Sequence, residues 1–364
     1  MYEYNRRQTK GYTGGKKKLT GGKNAVNEEM IPALEAEELS VWLKKGKRQI
    51  AAVRNLKFTV KKGGCTGIIG ESGCGKSLSC QALLGLLEKE KWIIKGTVKL
   101  NGVSVPITED KAMDEFRGSR MALILQNPLS AFDPRMTVGA HFCDGIPKRN
   151  KKLREERISE AMSILEKMQM KEPEKILKSY PFQLSGGMLQ RVLSALSVSQ
   201  HPEILIADEP TTAMDVITQK EFLYLLKTMQ LKNQISILLV SHDIEVISQM
   251  ADNIVVMYAG EVVEYGDAQT VLSHPAHPYT AGLFESYPKF SKERLNCMAG
   301  YPPALGEQFE TGCSFSCRCP QKSATCEREM RMSPSFKEVS QGHFSRCLYG
   351  DSRYGTIIGS RKAE

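Results

Sequence analysis

Apolar residues along this chain come in two rhythms. Short, nearly unbroken runs of strand length are Thr66 to Ile69, Met121 to Leu125, Ile204 to Ala207 and Ile235 to Val240. The Ile204 run leaves no polar face, the pattern of a strand buried on both sides. Between such runs Leu78 to Leu87 keeps helical spacing, and Ile158, Met162 and Leu165 recur at i, i+4 and i+7 with Glu and Lys on the other faces. Strands alternating with helices predict an α/β fold.

Composition narrows this. A chain of 364 residues exceeds one typical domain and can bury a substantial core. No run approaches the ~18 apolar residues of a membrane span, and no signal peptide is recognisable, so a soluble protein is expected. The net charge of +9 is partly local: before residue 28 stand Arg6, Arg7, Lys10, Lys16, Lys17, Lys18 and Lys23 against Glu3 alone. That arm, residues 1–30, is rich in Gly, Thr and Asn and is expected to be disordered, with attraction to anionic lipid headgroups as a second reading. Residue 2 is Tyr, so there is no myristoylation pattern.

The chemistry sits where strands end. After the Thr66 run comes Gly70-Glu71-Ser72-Gly73-Cys74-Gly75-Lys76-Ser77, a complete phosphate-binding loop between strand and helix. Its glycines let successive N–H groups turn inward on an anion, and the following helix adds its positive end. Lys76 can reach the β- and γ-phosphates of a nucleoside triphosphate, and Ser77 can ligate Mg²⁺. The Ile204 strand ends in Asp208 and Glu209, where α/β sheets hold their ligands. There Asp208 can hold Mg²⁺ through water, and Glu209 can orient or deprotonate a water attacking the γ-phosphate. His242 follows the Ile235 strand, either as a γ-phosphate contact or as a structural histidine. Ser185, Gly186 and Gly187 form a Ser-capped helix start with two exposed N–H groups, a second anion site.

Six of the ten cysteines fall between Cys297 and Cys347. Cys313-x5-Cys319-x6-Cys326, followed by Cys347, offers four thiolates in a Pro- and Gly-rich segment, a set that suits zinc or an iron–sulfur cluster. No Cys-x2-Cys pair is present, which weakens a zinc ribbon; unligated thiols in a packed tail are the other reading. Lying well past His242, this segment is expected to take no direct part in the nucleotide chemistry and to serve a structural or regulatory role.

The phosphate loop, Leu184-Ser185-Gly186-Gly187-Met188-Leu189-Gln190-Arg191 and Ile204 to Pro210 together resemble the nucleotide-binding subunits of ABC transporters, over residues 35 to 350. The resemblance implies a P-loop ATPase core at 31–275 with a β-rich N-terminal subdomain and an inserted helical subdomain at about 128–200. It implies two subunits head to tail, each signature (Ser185, Gly186, Gly187) closing on the other's ATP. Gln126 would be the lid-loop residue sensing Mg²⁺, Asp215 the dimer-loop aspartate and His242 the switch histidine. The loop Asn127 to Pro134 is a candidate to dock a membrane subunit. Family members stack an aromatic ring on adenine; alignment places Leu43 there with Trp42 beside it, and whether Trp42 stacks or belongs to the first strand's core stays open.

His277-Pro278-Tyr279-Thr280, Pro302-Pro303, Gly312-Cys313 and Arg318-Cys319-Pro320 resemble the tail of the oligopeptide, dipeptide and nickel importer subfamily. This implies a small Cys-rich C-terminal extension at 276–350, before a disordered 351–364. Its Cys313, Cys319, Cys326 and Cys347 would hold a [4Fe-4S] cluster, or Zn, with Cys317 as an extra thiol. The implied function is ATP-driven import of peptides, or of nickel or another metal complex, at the cytoplasmic face of the membrane. The implied partners are a second, different ATPase subunit, two permease subunits and an external binding protein. A single cassette without a long coiled-coil insert disfavours a nucleic-acid-associated ATPase, so no nucleic acid is expected.

Overall fold

The computed structural model describes residues 31–287 apart from 213, then 298–305, 312–324, 326 and 336–347. The basic arm, Cys297 and the 351–364 tail lie outside the described residues. A hairpin of β1 (Leu34–Lys45) and β2 (Arg48–Val60) opens the chain, and β3 (Cys65–Ile69) leads into α1 (Lys76–Leu83). Then β4 (Trp92–Leu100) returns beside β1 and β5 (Val103–Ser104) beside β4, which completes an antiparallel sheet ordered β2-β1-β4-β5. The short α2 (Asp110–Met113) precedes β6 (Met121–Ile124).

From there to residue 203 the described residues form helices and turns: α3 (Val138–Phe142), α4 (Lys151–Lys167), α5 (Pro173–Lys178) and α6 (Gly186–Val198). The chain then alternates through β7 (Ile204–Asp208), α7 (Val216–Asn233), β8 (Ser236–Val240), α8 (Ile244–Met250) and β9 (Asn253–Tyr258). It ends with β10 (Glu261–Asp267), α9 (Ala268–Ser273), α10 (Pro278–Glu285), β11 (Lys337–Ser340) and β12 (His343–Ser345). The second sheet runs β11-β12-β10-β9-β3-β8-β7-β6, parallel from β9 to β6 and antiparallel beyond β9.

The apolar runs are unbroken because each strand feeds two cores. Ile204 and Ile206 of β7 join Leu238, Val240 and Leu83 on one face, while Leu205 and Ala207 join Leu239, Phe222 and Ile247 on the other. A side chain that alternates between two apolar layers has no solvent face to spend on a polar residue. One predicted helix is shorter than expected: α1 ends at Leu83 because Gly85 turns left-handed at φ 60°, and Leu86 is left exposed.

The described residues of the C-terminal segment pack onto the main sheet and its core. Its β12 pairs with β10 through Glu264↔Ser345 and Tyr265↔Phe344. Phe315 is fully buried against Tyr258 at 5.2 Å and Tyr279 at 5.5 Å between ring centroids. A Pro- and Gly-rich stretch that cannot build its own core instead completes the main one. Glu264, fully buried, fixes the entry to this region: its carboxylate accepts the Ala276 and His277 N–H groups, each at 2.8 Å, and lies 2.8 Å from His343 Nε2.

Candidate functional site

The parallel strands aim their C-terminal ends at one place. Gly70 follows β3 at φ 154°, and a Cβ there would stand 2.2 Å from the Met257 carbonyl oxygen. Gly75, at φ 103°, is the N-cap of α1 in a left-handed conformation that other residues adopt only with strain. The loop thus wraps back on itself, and the Lys76 ammonium donates to the carbonyls of Gly70 at 2.8 Å and Glu71 at 3.0 Å. Lys76 is buried, close under Cys74.

Beside the loop, Ser77 Oγ donates to Asp208 Oδ1 at 3.0 Å. Asp208 is buried, and that burial pushes its carboxyl above the usual range, the Ser77 hydrogen bond pulling the other way. Next to it Glu209 adopts φ 47°, a left-handed conformation uncommon for such a residue. Its Oε2 accepts from Gln126 Nε2 at 2.8 Å and Thr212 Oγ1 at 3.1 Å, and lies 3.2 Å from His242 Nδ1. Gln126, Glu209 and His242, widely separated in sequence, therefore meet on one oxygen.

Ser185, Gly186 and Gly187 are not part of that cluster. Ser185 Oγ accepts the Met188 N–H at 3.4 Å as the N-cap of α6, and Ser185 and Gly186 are exposed. Asp215 likewise works locally: it caps α7 by accepting from Ile217 N, Thr218 N and, at 2.7 Å, Thr218 Oγ1. The Thr218 hydroxyl leads in drawing its carboxyl below the usual range. Trp42 is half-buried in β1, with Lys95 Nζ 5.1 Å from its ring centroid, so it is no core residue.

Cys313, Cys319, Cys326 and Cys347 line one pocket, together with His277 and Phe315; its interior is small, about 20 Å³. The exposed Cys317 does not line it, which removes the extra thiol from the set. Burial pushes the Cys313 thiol up to about 12 and raises Cys319 as well. Among the described residues no three Cys, His, Asp or Glu side chains stand close enough to hold one metal ion. The four thiols instead share the wall of this small pocket.

Sequence reasoning missed the residues that second these loops. Gln219 Nε2 bridges Thr211 Oγ1 at 3.3 Å and Asp243 Oδ2 at 3.2 Å, and so ties the loop after β7 to the loop after β8. Arg318 forms a bidentate pair with Glu71 of the phosphate loop, Nη1 to Oε2 at 2.8 Å and Nη2 to Oε1 at 3.0 Å. That contact ties the cysteine segment to the phosphate loop, although the segment lies far past His242 in the sequence. The tie is possible because β12 carries the segment back to the sheet. The motif Arg318-Cys319-Pro320 was visible, but nothing in it names a partner that far upstream.

Comparison with known proteins accords with this geometry. Residues 53–212 match the ABC transporter family profile, and 263–326 match the oligopeptide/dipeptide transporter C-terminal region. The dipeptide transport ATP-binding protein DppD of Bacillus subtilis is 36% identical over 318 residues, covering 86% of this chain and 94% of that protein. The oligopeptide transport ATP-binding protein OppD of Salmonella typhimurium is 34% identical over 317 residues, covering 86% and 93%. Among solved structures, a dimeric ATP-binding cassette bound to ADP and Pi superposes with a TM-score of 0.56 at 24% identity, over 65% of this chain and 98% of that one.

Proposed function

Because the chain belongs to the dipeptide and oligopeptide transport ATP-binding proteins of ABC transporters, we propose that it hydrolyses ATP to drive peptide import through a membrane transporter. The observation that carries the chemistry is the meeting of Gln126, Thr212 and His242 on Glu209 Oε2. All three contacts fall on one carboxylate oxygen, which leaves Oε1 to accept a proton from the attacking water. Lys76 exchanges a loop carbonyl for a phosphate oxygen when ATP enters, and the N–H groups of the loop and of the start of α1 complete the cradle.

Mg²⁺ fits the residues beside the loop. Ser77 and the buried Asp208 supply hard oxygen donors 3.0 Å apart, and a cation would relieve the desolvation that raises the Asp208 carboxyl. Gln126 is the third candidate for its shell. When bound, the ion neutralises developing phosphate charge. His242, 60% exposed, is free to reach toward a γ-phosphate from its place beside Glu209.

The solvent-facing start of α6, with Ser185, Gly186 and Gly187, serves a second ATPase subunit's nucleotide, and Asp215 stands at the same interface. A different subunit in that place makes the pair a heterodimer. Among the described residues no helix is long and apolar enough to cross a membrane, so transport runs through permease subunits with an external binding protein. The chain then sits peripherally on the cytoplasmic face, its exposed Leu129 and Phe182 placed to dock a permease. Residues 31–275 form the nucleotide-binding part, with the helical stretch 128–200 inserted.

The donor set of Cys313, Cys319, Cys326 and Cys347 suits a [4Fe-4S] cluster, with zinc as the alternative. Four thiols on the wall of one pocket are the donor set that either group uses. These cysteines would hold the cluster, and ligation would keep a segment poor in core residues folded. Reconstitution with the permease and binding proteins tests the transport reading: dipeptide uptake should require ATP and an intact Lys76. ATP-dependent nickel uptake without peptide uptake would refute the peptide assignment.

A further inference from the structure

Glu71 is an awkward residue for its position. It lies one step past Gly70 in the loop proposed to cradle a triphosphate, and its carboxylate adds negative charge where an anion must enter. The structure answers with Arg318. Its guanidinium grips both carboxylate oxygens, at 2.8 and 3.0 Å, and its side chain is only 6% exposed. The arginine is itself held: Nε donates to the Ala299 carbonyl at 3.1 Å, Nη1 to Tyr258 Oη at 3.4 Å, and the rings of Tyr258 and Phe315 lie 5.7 and 5.9 Å from its centre. The Glu71 pair leads in raising its already high basicity, so it stays charged. Tyr279 adds a second hold on the same residue, its hydroxyl accepting the Glu71 N–H at 2.9 Å. On the far side of the site Tyr287 donates to Asp243, the residue after His242.

We propose that Arg318 is a positioning residue for nucleotide binding, which neutralises and fixes Glu71 so that the phosphate loop presents its N–H groups and Lys76 to ATP without a competing free carboxylate. The proposal rests on reading residues 70–77 as the phosphate site. The C-terminal segment is thereby part of the nucleotide site rather than an appendage to it. A fork pairing two oxygens does what a single-point cation cannot, so lysine should replace Arg318 only in part.

The test measures the binding of Mg-ATP to the purified full chain, with a fluorescent ATP analogue, in Arg318→Met, Arg318→Lys, Arg318→Met/Glu71→Gln and Lys76→Ala. Arg318→Met should weaken binding about tenfold or more, because a charged pair is broken and its carboxylate left beside the phosphates. Arg318→Lys should fall between it and wild type. Adding Glu71→Gln to Arg318→Met should return affinity to within about threefold of wild type, since the stranded charge is gone. A purely structural role for Arg318 would leave the double variant as weak as the single, and that result overturns the proposal. So does wild-type affinity in Arg318→Met, which would leave the phosphate-site reading standing. Wild-type affinity in Lys76→Ala would overturn that reading and the proposal with it. Should Arg318→Met fail to fold, Arg318→Lys decides: a raised KM for ATP with kcat nearly unchanged supports the proposal, and an unchanged KM overturns it.

Discussion

Replacing Glu209 by Gln separates binding from hydrolysis atom by atom. The glutamine amide oxygen can occupy the place of Oε2, where it still accepts from Gln126 at 2.8 Å and Thr212 at 3.1 Å. Its NH₂ then takes the place of Oε1, the oxygen argued to receive the water's proton. The left-handed backbone at φ 47° is retained, so whatever strain it stores, of order 1–2 kcal/mol, is common to both proteins. Folding stability should therefore change by less than about 1 kcal/mol, and affinity for ATP should hold or rise as a negative charge leaves the site. Losing the base should slow hydrolysis by ~10²–10⁴, about 2.7–5.4 kcal/mol in the barrier. The assay is single-turnover ATP hydrolysis in the assembled transporter, with the partner subunit's own site inactivated, alongside equilibrium binding of ATP. The variant should also accumulate a closed dimer with nucleotide trapped between subunits. Turnover within about threefold of wild type would refute the assignment of Glu209.

Other outcomes can be checked separately. Ser185→Arg should leave ATP binding by the isolated subunit intact but block closure over a partner's ATP, read as lost dimer on gel filtration. Asp215→Ala should lower Tm, because it removes a carboxylate that accepts two N–H groups and a hydroxyl at the start of α7. His277 is buried and neutral, its pKa lowered to about 3 by burial and then by the charge of Arg346. The unfolded chain protonates at about 6.5, so the stability is fully present above that pH and is lost as pH falls toward 3; at pH 5 the loss is about 2 kcal/mol. His277→Asn, which keeps a cap acceptor for the Tyr279 N–H, should flatten that slope in denaturant melts between pH 7 and 5. Protein purified without oxygen should be brown, absorb broadly near 400 nm and carry about four irons per chain, whereas one zinc in a colourless protein would reassign the cysteine pocket.

How much of this was legible in the sequence follows from how far each constraint reaches. The phosphate loop could be read because its geometry is local: Gly70 and Gly75 are demanded by the backbone between one strand and the next helix. The strands β3, β7 and β8 could be read because burial on both faces leaves an apolar run with no gaps. The helix start at Ser185 announces itself through its own cap. Gln126, Glu209 and His242 were each placed at a strand end, and the parallel register of β6, β7 and β8 is what makes three strand ends one site. That register is a property of the sheet, and only the family resemblance supplied it beforehand.

What the sequence hid is the return of the chain. The residues after α10 look like a tail, since Pro, Gly, Cys and polar residues make up most of them and no apolar period shows. Their anchor is the edge of β10, where Glu264 and Tyr265 meet Ser345 and Phe344. An edge strand is an unpaired row of donors and acceptors, and it accepts a two- or three-residue partner that no hydrophobic pattern would mark as a strand. Once β12 is docked, Phe315 has a core to enter, and Arg318 three residues later is carried to Glu71 across most of the chain's length. A buried guanidinium must find an acceptor, and a carboxylate beside a phosphate site must be neutralised; each requirement is the other's solution. Neither residue is explicable alone, which is why each reads in isolation as an ordinary surface charge.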